Sequence, residues 1–214
     1  MNPTPEKTSV MAPFILMLFL YFIVGLFTVI NQQFQVPLKS ALLPHDGNMT
    51  NALVTLLNFS WFLAYPFSEG FATRWVDRLG YRKTSVYSLL IFIAGLGFYE
   101  AAVLLHIYAP SYITIMGNPI FTGFFIFLSG SFVIGMAVTI LQVVTGLYLD
   151  VNPVGKTTPL QRQMIGGTTN SIGMAIGPLV VSYIIFYGIP LHNVQSREFI
   201  WPVICLIAII CIFT

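Results

Sequence analysis

Residues 69–83 read EGFATRWVDRLGYRK, a dense run of acid and base set between two apolar stretches, each long enough to cross a membrane. Five charges (Arg74, Asp77, Arg78, Arg82 and Lys83) crowd a short connection, with Gly80 to turn it. Elsewhere charge is scarce: 7% of residues are charged and 57% are hydrophobic. Soluble domains carry roughly 25% charged residues, so most of this surface is expected to face lipid. A net charge of +2 is too small to suggest a nucleic acid partner.

A helix that crosses the bilayer needs about 20 apolar residues. Six stretches qualify or nearly so: 12–36, 52–73, 84–105, 120–149, 163–187 and 199–214. Backbone polar groups cannot stay unpaired in lipid, so each is predicted to be a helix. The connections at 44–50, 152–159 and 190–196 carry Pro or Gly and are long enough to turn but too short to be domains. Lysine and arginine set the orientation. Lys7, the basic residues of 74–83, Lys156 and Arg162 fall on one side. Lys39 and Arg197 fall on the other, with His45, His106 and His192. The N terminus and the charged connection are therefore expected to be cytoplasmic. Residues 1–11 form a polar tail and 12–214 an all-α membrane bundle. The stretch 199–214 covers only about 24 Å at 1.5 Å per residue and ends without flanking charge. The expectation is an N-terminal half whose last helix is cut short and whose C-terminal half is absent.

Polar residues recur inside these stretches at helical spacing. Gly25, Thr28, Gln32 and Gln35 share a face of the first, with Asn31 and Gln33 alongside. Thr55, Asn58, Phe62, Tyr65 and Glu69 do so in the second, Gly135, Thr139, Gln142 and Gly146 in the fourth, and Gly166, Asn170, Gly173 and Gly177 in the fifth. Two readings stand. Small residues let helix backbones approach, and amides bond across the contact. Alternatively, the amides of Asn31, Gln32, Gln33, Gln35, Asn58, Gln142 and Asn170 line a polar cavity. Amides both donate and accept hydrogen bonds, which suits a neutral polyol such as a sugar. Trp61 and Tyr65 either stack on a sugar face or pack in the bundle.

Glu69 and Glu100 are the acids within spans. Either snorkels toward an interface or carries a proton, since intramembrane carboxylates mark ion and proton pathways. Asp77, beside Arg78 and ahead of Gly80, reads as a structural lock that neutralises basic groups or a helix N-terminal dipole. Cys205 and Cys211 show no metal or disulfide spacing, and no cofactor is expected. A membrane-embedded enzyme is disfavoured because the spans hold no histidine, metal-ligand spacing or convincing nucleophile–base pair. Asn48-Met49-Thr50 and Asn58-Phe59-Ser60 match the glycosylation acceptor pattern; the second lies within a span.

The run Asp77-Arg78-Leu79-Gly80-Tyr81-Arg82-Lys83 resembles the motif between helices two and three of the major facilitator superfamily, written G-x-x-x-D-R-x-G-R-R/K. Thr73 stands in place of its leading glycine, with Gly70 nearby. A narrower likeness covers roughly residues 14–188. It comprises Asn31 and Leu38-Lys39, Ala64-Tyr65, Gly97-Phe98-Tyr99, Leu141-Gln142, and Arg162 followed by Asn170 and Gly173. In order and spacing these are similar to the fucose–galactose–glucose:proton symporter family.

That resemblance implies half of a twelve-helix fold and transport of a sugar or sugar-like solute, coupled to protons, by alternating access. A facilitator or exporter of another small molecule would reuse the same connection. Substrate would sit between this half and the missing C-terminal six-helix half, held by Asn31, Gln32, Gln35, Asn58, Gln142 and Asn170. Asp77, Arg78, Gly80, Arg82 and Lys83 would form the cytoplasmic gate. The location implied is a bacterial inner membrane. The sequence departs from the family's pattern in its acids. Gln32 stands where an Asp follows the first-helix Asn, and Gln142 where the fourth helix carries a Glu. Gly146-Leu147 replaces an Asn-Pro, and Gly167 a Gln ahead of the fifth-helix Asn. An amide cannot carry a proton at physiological pH. Coupling therefore falls to Glu69, Glu100 or a residue of the missing half.

Overall fold

The computed structural model describes residues 11–34, 36–38, 43, 48–115, 117–189, 195, 198, 200–204 and 206. Among them, four helical stretches are long and apolar enough to cross a membrane. The first is α1, Met11–Gln33, with helical turns continuing at 36–38.

The second stretch, Asn48–Tyr108, has 61 residues. A single rod of that length would run about 90 Å, three times the ~30 Å hydrocarbon core. The backbone leaves the helix at Gly80, with φ 77° and ψ 169°, a region open essentially to glycine alone. We therefore divide it into α2 (48–79) and α3 (81–108). The two rods fold back on each other. The rings of Trp75 and Tyr87 lie 6.2 Å apart, whereas twelve residues of straight helix would separate them by about 18 Å. Ala72 and Val76 before the turn and Ile91 after it pack in one cluster with Ile140 and Val144. The charged run is thus not the loop expected from sequence. Arg74, Asp77 and Arg78 sit on the end of α2, Arg82 and Lys83 on the start of α3, and Gly80 alone is non-helical.

A two-stranded antiparallel hairpin follows α3: β1, Tyr112–Ile115, pairs with β2, Asn118–Phe121, in the register Tyr112↔Phe121 and Ile113↔Ile120. The stretch expected to be helical from 120 therefore starts as strand, and α4 runs Gly123–Val151. Pro119 explains part of the shift: proline biases the residue before it toward extended backbone and is tolerated in an edge strand. Ile120 and Phe121 are buried, which ties the hairpin to the bundle.

The last long helix, α5, spans Pro159–Val180 and widens into a π turn at Val181–Ile185. Its start is written locally. Thr158 Oγ1 accepts from the Gln161 N–H at 3.3 Å, and Gln161 Oε1 accepts from the Thr158 N–H at 2.9 Å. Pro159 follows at the first helical position, where its missing N–H costs nothing. Of the sixth expected helix, 200–204 and 206 are helical; the rest of 199–214 lies outside the described residues. Among the described residues there are thus five rods of spanning length, α1 to α5, and not the six of the expected bundle.

Two seams organise these rods. In one, α4 packs on the α2–α3 hairpin. Ser60 Oγ donates to Leu128 O at 3.0 Å and Ser131 Oγ to Leu57 O at 3.2 Å, while the Tyr99 and Phe127 rings stack at 3.7 Å. In the other, α5 lies on α1. Gly25 meets the Asn170 carbonyl and Gly173 the Phe22 carbonyl so closely that a Cβ would collide, and Gly177 lies tight against the Val29 side chain. The glycine stripe of the fifth helix is therefore helix packing, as small residues permit.

Candidate functional site

Asn31 lies where α1 crosses the α2–α3 hairpin and α4. It is 4% exposed, and its Oδ1 accepts from the Tyr99 hydroxyl at 2.8 Å. Ser131 of α4 lies beside Tyr99 and donates its own proton to Leu57 O of α2. A polar chain thus links α1, α3, α4 and α2 through an otherwise apolar core. Beside it is a small, partly open and largely apolar pocket lined by Phe27, Asn31, Trp61, Phe92, Leu96 and Tyr99 among others. Asn31 Nδ2 and Trp61 Nε1 are buried and make no hydrogen bond among the described residues. The Tyr65 hydroxyl approaches the Trp61 indole without hydrogen-bond geometry. Trp61, weighed above for sugar stacking, is 1% exposed and sits in the core; Tyr65 is half-buried.

The other amides are less enclosed. Gln32, Gln33 and Gln142 are half-buried, and among the described residues their side chains make no hydrogen bond. Asn58 is half-buried, with a buried Oδ1 that has no partner. Asn170 is half-buried, and its Nδ2 donates to Tyr21 O at 3.0 Å across the α1–α5 seam. Gln35 lies outside the described residues. Gln32, Gln33, Gln142 and Asn58 are thus the uncommitted amides, the first two on α1 and the others on α4 and α2.

The acids differ from each other. Glu69 is exposed, and its backbone carbonyl accepts from Thr73 Oγ1 at 3.1 Å. Glu100 is half-buried, with an Oε2 that is buried and unpartnered. At the charged end, Asp77, Arg78, Arg82 and Lys83 are all exposed. None of the four makes an ion pair or side-chain hydrogen bond among the described residues. Among those residues, no three His, Cys, Asp or Glu side chains cluster to hold a metal ion.

One polar residue does more than sequence reasoning assigned to it. Arg162, counted there only for orientation and as part of the family likeness, is 2% exposed. Its Nε donates to Leu149 O at 2.6 Å, its Nη2 to Asp150 O at 2.8 Å and its Nη1 to Thr157 O at 2.8 Å. Gln163 Nε2 adds a bond to Gly146 O at 2.7 Å. The carbonyls at the end of α4 lack partners within the helix, and a cation there also suits the helix dipole. The available signal was an arginine one residue ahead of a predicted helix, a short link after the preceding one.

No family model, no curated protein and no solved structure matches this chain.

Proposed function

We propose that the chain is the N-terminal half of a major facilitator superfamily transporter for a sugar or sugar-like polar solute, coupled to protons and working by alternating access. The observation that carries this reading is the Gly80 reversal. It places the D-R-x-G-x-R-K run between two rods of spanning length, with its charged side chains exposed at one end of the hairpin. The uncommitted amides support a polyol as the solute, since each can both donate to and accept from a hydroxyl. Gln32 and Gln142 would take the leading part, with Asn31, Gln35, Asn58 and Asn170 around them. Substrate would bind between this bundle and a C-terminal partner near the bilayer midplane, as in transporters built from repeated halves. Asp77, Arg78, Gly80, Arg82 and Lys83 would latch the cytoplasmic side. Glu69 and Glu100 are the acids available to carry a proton.

The test is uptake of labelled hexoses and L-fucose into proteoliposomes holding the complete protein, with and without an inward proton gradient. Gradient-driven accumulation that falls in Gln32→Ala and Gln142→Ala supports the reading. Glu69→Gln and Glu100→Gln then identify the carrier as the variant that loses accumulation but keeps exchange. Uptake indifferent to the gradient would remove the proton, and no uptake of any sugar would remove the solute class.

A further inference from the structure

We propose that the charged end of the α2–α3 hairpin is a docking surface for an anionic phospholipid. The headgroup phosphate lies against Arg78 and Lys83, and the acyl chains run along the outer faces of the two rods. Two observations carry this: the charge left unpaired at that end, and the order of the side chains that lead up to it. Arg74, Arg78, Arg82 and Lys83 stand beside a single acid, Asp77, and all five are exposed. None makes an ion pair or a side-chain hydrogen bond among the described residues. Four cations against one carboxylate leave a positive excess that the hairpin does not neutralise, and such a surface attracts an anionic partner.

The order of side chains names that partner. The Trp75 and Tyr87 rings meet at 6.2 Å and tie α2 to α3 at one depth. Arg78 follows Trp75 by one helical turn and Lys83 precedes Tyr87 by one, both toward the Gly80 turn. They therefore stand about 5 Å farther out than the aromatic pair. One turn in the opposite direction come Phe71 on α2 and Leu90 on α3, exposed at 36% and 47%. Residues three and four apart share a helix face, so each rod presents the same series: apolar, aromatic, cationic. A bilayer leaflet presents acyl chain, interface and phosphate in that order, with tryptophan and tyrosine at headgroup level. A soluble anion would engage the cations alone, whereas an anionic lipid engages all three levels. The leaflet on the cation-rich side of a membrane protein is also the one that carries anionic lipid. The inference needs only the α2–α3 hairpin in a bilayer and holds whatever solute the protein carries.

The experiment reconstitutes the complete protein in vesicles of dioleoylphosphatidylcholine. That lipid is then replaced stepwise by brominated phosphatidylglycerol or by brominated phosphatidylcholine. Bromine quenches tryptophan at short range, and the quenching that Trp75→Phe removes is the Trp75 signal. Phosphatidylglycerol should bind about fivefold more tightly than phosphatidylcholine, the effect of one cation beside an anionic surface. Arg78→Gln together with Lys83→Gln should bring the ratio close to one. Both positions are exposed, so helix content should stay unchanged in that variant. Equal binding of the two lipids to the unaltered protein would overturn the proposal, as would a preference that survives the double substitution. Loss of the preference in inorganic phosphate, but not in sodium chloride of equal ionic strength, would mean a site for free anions instead. No quenching of Trp75 by either lipid would mean that another protein surface covers the hairpin. Either of these results also overturns it.

Discussion

Replacing Arg162 with methionine should separate the end of α4 from the start of α5. The side chain is 2% exposed and donates to three backbone carbonyls, those of Leu149, Asp150 and Thr157. A hydrogen bond from a charged donor contributes about 1.5–3 kcal/mol net; three without relief would sum to about 4.5–9 kcal/mol. Relief is available, because neighbouring Asp150 and Val151 are exposed and water can reach part of the freed backbone. The expected loss for Arg162→Met is therefore about 3–4 kcal/mol. Arg162→Lys keeps the charge but lacks the planar fork, so it should lose about half as much. The assay is unfolding in mixed micelles titrated with SDS, followed by helix content. If Arg162→Lys matched the unaltered protein, the geometry of the fork would not matter; if it lost as much as Arg162→Met, the charge alone would contribute nothing. If Arg162→Met matched the unaltered protein, the cap itself would be wrong.

Two further substitutions test the backbone arrangement. Gly80→Ala forces a Cβ into a conformation at φ 77° and ψ 169° and should cost about 1–3 kcal/mol in the same titration. An unchanged midpoint would mean that the α2–α3 turn is not built as described. Gly173→Val places a branched side chain against the Phe22 carbonyl and should cost about 1–3 kcal/mol by overpacking. Gly167→Val, on the same helix but with open space around it, serves as the control and should leave stability nearly unchanged; equal losses would refute the α1–α5 seam.

The spans were legible because lipid removes alternatives. A stretch of about 20 apolar residues has little choice but to pair its backbone within itself, so the helical character of α1 to α5 could be read from sequence. The place of the α2–α3 turn was legible too, since Gly80 sits among charges between two such stretches. What could not be read was how little chain the turn uses. Arg74 to Lys83 is polar enough to pass for a loop, yet it is helical on both sides of one glycine. The β hairpin escaped notice for the opposite reason: its strands are apolar and merge with the helix that follows.

Side-chain partners lie further from the sequence. Asn31 and Gln32 are adjacent amides on one helix; one is buried against Tyr99 and the other is uncommitted. Their different surroundings come from residues 68 positions away in one case and from a turn of about 100° around α1 in the other. Arg162 looked like an orientation signal, and only the approach of α5 to the end of α4 makes it a cap. Composition and periodicity determined that this chain forms apolar helices, where they turn and which faces carry amides, because those follow from local backbone chemistry in lipid. Which amide is spent on packing and which arginine is buried were decided by tertiary contact, because hydrogen-bond partners are set by distance in space.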